Sequence, residues 1–162
     1  MTLHGLHRAI QLMMGWFDYH LYQFTIDGVR YEQPMEEAEG LDSTGVSLAS
    51  LKLKKGQRFS YTYDFGDDWS HEITVEGRKH VSEGAWLPWV VSGERAGPPE
   101  DCGGVHGYEE FLAALADPEH PEHEQYRTWV GEDYHPELFD VRAVRNAVIL
   151  AGAWGALEAD RA

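Results

Sequence analysis

Two stretches of alternating side chains limit this chain's fold more than any other feature. From Tyr19 to Ile26, His20, Tyr22, Phe24 and Ile26 fall on one face and Tyr19, Leu21, Gln23 and Thr25 on the other. From Arg58 to Phe65, Phe59, Tyr61, Tyr63 and Phe65 share a face opposite Ser60, Thr62 and Asp64. A period of two over such lengths marks a strand with one buried side. Turn residues and a returning strand follow each stretch. Asp27 and Gly28 are the pair a type I′ turn requires, and "VRY" starts back from them. Gly66, Asp67 and Asp68 precede Trp69, His71, Ile73 and Val75, which resume the alternation. The sequence therefore predicts two antiparallel hairpins, the second with a three-residue loop, whose aromatic face needs a cover.

Helical spacing supplies that cover. Leu3, Leu6, Ile10, Met13 and Phe17 recur after Thr2, an N-cap candidate, and predict an amphipathic helix ending at Gly15. His7 falls at the edge of its buried face, while His4, Arg8 and Gln11 look outward. Further on, "YEEFLAALADP" predicts a helix with Tyr108, Phe111, Leu112 and Leu115 inward and glutamates in its first turn, where the helix dipole favours them. "PEHEQYRTWV" predicts another from Pro121, and "DVRAVRNAVILAGAW" a last one capped by Asp140. Residues 32–45, acidic, and 84–107, rich in Gly and Pro, read as a surface loop and an irregular connection. With no linker or internal repeat, residues 1–162 are expected to form a single α+β domain. Its antiparallel sheet of two or more hairpins packs against the N-terminal helix and C-terminal helices.

Composition narrows the function classes. A chain that is 43% hydrophobic with six tryptophans is a folded domain and not a disordered one. Twenty-eight acidic against thirteen basic residues leave a charge of −15, whose field repels polyanions. The local basic run, Lys52 to Arg58, is short, so no autonomous nucleic-acid binding is expected. No run approaches the roughly 18 apolar residues of a membrane span, and the N-terminus lacks the order of a signal peptide. A cytoplasmic protein with no membrane partner is expected. The single cysteine, Cys102, permits neither an intrachain disulfide nor a CxxC zinc pair.

The chemistry-bearing residues support two readings. His7, His20 and His71 each fall on the apolar side of a different element, and a divalent ion such as zinc takes imidazoles together with carboxylates. Asp64, Asp67, Asp68, Glu100 and Asp101 are available to complete such a site, and a bound ion would activate water. Alternatively each histidine is a half-buried core residue, bonded to a carbonyl or a turn aspartate. No HxxxH pair within these stretches supports the ion, which favours the second reading. Asp64 points away from the aromatic face, as a general base, a ligand, or a tie for the amides beside Gly66. The candidate catalytic residues are thus Asp64, His71 and Asp68, and the candidate metal ligands His7, His20, His71 and Asp64. No cofactor is expected on the structural reading, and zinc or another divalent metal on the other. Cys102 stands before a helix start, which lowers a thiol pKa, but Glu100 and Asp101 oppose this, and a packed cysteine is expected. His120 and His123 have the spacing of a weak metal pair on a solvated helix start. Trp16, Tyr22, Phe24, Tyr61, Tyr63 and Trp69 are able to stack bases, yet their alternation assigns them to the core.

Several of these stretches together resemble a known family. "LHRAIQLMMGWFDYHLYQF", "YTYDFGDDWSHEITVE" and "GPPEDCGGVHGYEEFLAAL" are similar to three signature blocks of the plasmid pRi open-reading-frame-three-like family, and "DPEHPEHEQYRTWVG" and "HPELFDVRAV" continue the match. It covers roughly residues 3 to 150. The resemblance implies a passenger protein of plasmids and mobile elements, sometimes labelled resolvase-like, in a family with no established activity. It also implies an N-terminal strand before the first helix, and cysteines near Val90 and at Gly97, that this chain lacks. A missing strand would leave an unpaired sheet edge, which predicts a homodimer unless the acidic loop folds over that edge. The expected function is a non-catalytic accessory or protein-interaction module associated with plasmids or mobile elements, whose partner is another protein or a second copy. The alternative is a metal-dependent hydrolase acting on a phosphate-containing substrate. Serine recombination ranks last, since no Arg-rich block accompanies Ser60, Ser70 or Ser92.

Overall fold

In a computed structural model, which describes residues 1–36, 38–80 and 88–153, the chain opens with helix α1 (Leu3–Met14). Thr2 Oγ1 accepts the Gly5 amide at 3.1 Å, and Gly15, at φ 79°, ends the helix in the left-handed conformation that glycine adopts without strain. Strands β1 (Tyr22–Ile26) and β2 (Val29–Glu32) follow, joined through Asp27 and Gly28 at φ 51° and 80°, as a type I′ turn demands. β3 (Leu41–Asp42), β4 (Arg58–Tyr63) and β5 (Trp69–Thr74) complete a five-stranded sheet in the order β3-β2-β1-β4-β5. Helices α2 (Gly104–Ala116), α3 (His123–Val130) and α4 (Val141–Ala153) form the C-terminal half.

Register explains the core. Phe24 lies opposite Tyr61 and Tyr22 opposite Tyr63 across β1 and β4, and Tyr63 faces Trp69 across β4 and β5. Cross-strand aromatic pairs of this kind stabilise a sheet by about 0.2–1 kcal/mol each. Tyr22, Phe24, Tyr61 and Tyr63 are fully buried beneath α1, which contributes Leu3 and Ile10. His7 stacks flat on Tyr22, with ring centroids 3.6 Å apart. All six aromatics assigned to the core from their alternation are buried.

Where the fold departs from the periodicity, local bonds are the reason. The second hairpin turns through five residues, Asp64 to Asp68, because Asp64 and Asp68 take positive φ (54° and 53°) and break the alternation. Phe65, expected inward, is consequently 53% exposed. Residues 32–45 are not wholly loop: β3 pairs parallel with β2, matching Leu41 to Tyr31, so the sheet is mixed and the β2 edge is covered. Gln11, expected outward, is buried, donating to the Tyr61 hydroxyl at 3.2 Å and accepting the Asp18 amide at 3.0 Å. Phe17 lies beyond the helix end and is exposed, while Trp16 turns inward. α2 starts at Gly104, ahead of the predicted Tyr108, so Glu109 and Glu110 fall past its first turn. Asp140 caps α4 as expected, accepting the Arg142 and Ala143 amides at 2.9 and 3.0 Å. Of the predicted irregular connection, residues 84–87 lie outside the described residues, as does Trp154. Among the described residues no helix is long and apolar enough to cross a membrane.

Candidate functional site

Three segments remote in sequence meet at one corner of the sheet: residues 16–20 after α1, the β4–β5 loop, and residues 98–103 before α2. Polar bonds dock the last onto the other two. The Trp16 indole donates to the Pro98 carbonyl at 2.9 Å, and the Phe17 amide donates to Glu100 Oε2 at 2.7 Å. The Tyr63 hydroxyl accepts the Tyr19 and His20 amides at 3.0 and 3.3 Å and donates its proton to Glu100 Oε1. Two acceptances and one donation saturate a phenol oxygen. Burial, then the bond to Glu100, raises the Tyr63 pKa, which keeps that proton in place. On the loop side, Gly103 N donates to Asp67 Oδ2 at 3.1 Å. Gly104, at φ 67°, sits so close to the Asp67 carbonyl that a Cβ there would collide with it.

At this corner His20 meets two carboxylates. Its Nε2 lies 2.8 Å from Asp101 Oδ1 and 3.6 Å from Asp64 Oδ2. Ligand-type atoms of the three residues fall within 4.8 Å of one another, the one such group of three among the described residues. Asp64 fills one of the roles weighed from sequence, that of the tie. Its Oδ1 ties the loop by accepting the Gly66 and Asp67 amides at 2.9 and 3.3 Å, and its Oδ2 faces His20.

The remaining candidates lie elsewhere. His7 is fully buried with both ring nitrogens engaged, Nδ1 with the Tyr61 hydroxyl and Nε2 with Asp18 Oδ1, each at 2.8 Å. An ionised Asp18 accepts the Nε2 proton, so Nδ1 is the acceptor for Tyr61. Burial outweighs the Asp18 partner and lowers the His7 pKa. Burial alone would raise Asp18, but the hydrogen bond from His7 and the nearby Arg8 charge hold its carboxyl low. His71 Nδ1 bonds to the Trp69 carbonyl at 2.9 Å, and burial lowers its pKa too. Asp68 is exposed and stands outside the His20 group. His120 and His123 each commit Nδ1 locally, to the Glu122 amide and the Ala114 carbonyl. Burial, with Asp67 beside it, pushes the Cys102 thiol up to about 11, in keeping with a packed cysteine.

A cleft of about 570 Å³ opens beside this corner, between the end of α1, residues 96–101, α3 and α4. Its walls are apolar, and four of its side chains are large and exposed: Phe17 (69%), Tyr19 (72%), Trp129 (46%) and Leu138 (56%). Phe17 and Tyr19 stack on each other at 5.7 Å. Carboxylates of Glu100, Asp101 and Asp140 stand in the lining. Tyr134, also in the lining, donates to the Gly97 carbonyl at 3.1 Å. Sequence periodicity did not reveal this cleft, because its walls come from elements whose mutual packing no local pattern encodes. The acidic block around Glu100 was the one readable signal.

The family model described as plasmid pRiA4b ORF-3-like protein matches residues 1–143. The chain belongs to that family. An uncharacterised protein of Sinorhizobium fredii (strain NBRC 101917 / NGR234), y4hQ, is 40% identical over 157 residues, covering 94% of this chain and 80% of its own. A crystal structure of MM3350, a protein of unknown function from Methanosarcina mazei Go1, is 38% identical with a TM-score of 0.74, covering 87% of this chain and 82% of that one. Phe17, Asp64 and Glu100, which build the corner and one wall of the cleft, all lie within the residues that the ORF-3-like model matches.

Proposed function

We propose that this ORF-3-like protein is a cytoplasmic, non-catalytic interaction module of plasmids or related mobile elements, which holds a basic segment of a protein partner in the acid-rimmed cleft. One observation carries the reading: four large, exposed apolar side chains line a single concave site that carboxylates border. Contiguous exposed apolar surface of this kind marks interaction sites on soluble proteins. Phe17 and Tyr19, stacked and exposed, offer a partner's side chains an apolar anchor. The charge of −15 selects the partner's sign, since complementary potential speeds encounter and suppresses wrong partners. The family's plasmid description supports the setting.

The test uses fluorescein-labelled short peptides carrying Lys and Arg around a Leu or Trp pair, each with a counterpart in which Glu replaces the basic residues. Fluorescence anisotropy is expected to show saturable binding of basic peptides at least about tenfold tighter than their counterparts, a difference of about 1.4 kcal/mol. Val144→Glu, in the α4 wall, is expected to abolish it. Equal affinity for both peptide sets, or binding unaltered by Val144→Glu, refutes the reading. Self-association in place of peptide binding, seen by light scattering, would assign the cleft to a second copy.

A further inference from the structure

The His20 corner supports a second inference, which shares Asp101 with the cleft but rests on different observations. We propose that His20, Asp64 and Asp101 bind one divalent transition-metal ion of the zinc class, through His20 Nε2, Asp64 Oδ2 and an oxygen of Asp101. The strongest observation is Asp64. This residue is 7% exposed, and its Oδ1 is satisfied by two loop amides, yet its Oδ2 takes no hydrogen bond from any described residue. That oxygen points at His20 Nε2 from 3.6 Å, beyond hydrogen-bond reach. With the loop amides held on Oδ1, Oδ2 remains available as a ligand on the side that faces His20.

Geometry is consistent with an ion. Ligands held at about 2.0–2.2 Å from a zinc-class ion stand roughly 3–3.5 Å apart. The three ligand atoms already lie within 4.8 Å of one another, with His20 2.8 Å from Asp101 and 3.6 Å from Asp64. The adjustment needed falls on Asp101, whose side chain is 62% exposed. His20 is also the suitable imidazole of the set. Both nitrogens of His7 are spent on protein partners, and His71 and His123 bond to carbonyls, whereas the Nε2 of His20 meets carboxylates. On binding, the ion takes the place of the proton shared between His20 and Asp101, and a neutral His20 keeps its remaining proton on Nδ1. One imidazole with two carboxylates selects zinc, cobalt or manganese over calcium and magnesium, which prefer all-oxygen sites. Three protein ligands leave a position open for water or a partner's donor.

The test is a titration of purified, metal-stripped protein with Co²⁺, read by visible absorption, and with Zn²⁺, read by calorimetry. One ion per chain is expected, with cobalt bands that zinc abolishes and millimolar Mg²⁺ or Ca²⁺ does not. Loss of an outer-shell partner already lowers metal affinity about 10–100-fold, so His20→Ala, Asp64→Asn and Asp101→Asn should each cost at least that much. Asp64→Asn keeps an oxygen acceptor for the loop amides, and Asp101→Asn alters an exposed side chain, so at least one variant retains the fold. Asp68→Asn, on the same loop but outside the group, should bind as the native protein does. Equal affinity of the His20→Ala and native proteins, or several weak equivalents displaced by Mg²⁺, would identify diffuse binding to an acidic surface and overturn the proposal. Because no peptide is present, this outcome is separate from the fate of the docking reading.

Discussion

Mild acid should weaken this fold through two histidines held neutral. Burial lowers the pKa of His7 and of His71 below the value of 6.5 that the unfolded chain retains. Below 6.5 the unfolded state therefore takes up protons that the folded state refuses, and the native state loses ground. The stabilising contribution is fully present above pH 6.5 and declines as pH falls from there toward the folded pKa values. One such proton gives a slope approaching about 1.4 kcal/mol per pH unit, and two approach about 2.7. Domains of this size have about 5–15 kcal/mol in total, so one unit of pH removes a large share. Asp18, held low beside His7, extends the loss to more acid pH as it is protonated. The assay is urea unfolding followed by tryptophan emission between about pH 7.5 and 5, within the window where the two histidines dominate. Stability should be flat above 6.5, fall below it, and fall half as steeply in His71→Gln. His7→Leu should remove the other half of the slope while costing about 2–4 kcal/mol at neutral pH, since the Tyr61 hydroxyl and Asp18 lose their shared partner. A native curve that stays flat to pH 5.5, or a slope unchanged in both variants, would refute the assignment of neutral, buried imidazoles.

Three further outcomes test the corner and its surroundings. Glu100→Ala should destabilise by about 2–4 kcal/mol, because it strands the Tyr63 proton and the Phe17 amide, whereas Glu100→Gln retains an acceptor and should cost about half; urea midpoints compare them. Gly104→Ala combines a positive φ with a collision at the Asp67 carbonyl and should cost about 2–3 kcal/mol, while Gly15→Ala, left-handed at φ 79° in open space, should cost about 1 by thermal melts. With its pKa near 11, Cys102 should react with a thiol reagent at neutral pH on the order of a hundredfold more slowly than free cysteine, followed by absorbance.

Local patterns read well wherever one residue's neighbours in sequence decide its fate. The Asp27-Gly28 turn, the Gly15 helix end and the Asp140 cap each depend on backbone chemistry within a few residues, and each was readable in advance. The alternation of Tyr22, Phe24, Tyr61 and Tyr63 gave the buried face correctly. It failed at Phe65, because the Asx bonds of Asp64 reset the backbone one residue earlier. The three inward histidines looked alike in sequence. Long-range partners separate them: Asp18 and Tyr61 engage His7, a main-chain carbonyl engages His71, and His20 alone meets Asp64 and Asp101. The cleft was illegible for the same reason, since Phe17, Trp129 and Leu138 share no local repeat.

The docking of residues 98–103 also dictates an order of assembly. Their bonds reach back to Trp16, Phe17 and His20 across 81 to 83 positions of chain, whereas the hairpins close across a few. Closing so long a loop is entropically later than zipping a hairpin, so the sheet and α1 can form before the corner exists. The same asymmetry governs opening. Release of these contacts detaches the segment without separating a single pair of strands, a partial unfolding cheaper than the global one. In hydrogen exchange the Phe17 and Gly103 amides, whose bonds to Glu100 and Asp67 exist only while the segment is docked, should trade their protons well before those of Phe24 or Tyr61, and at a rate insensitive to changes within the sheet.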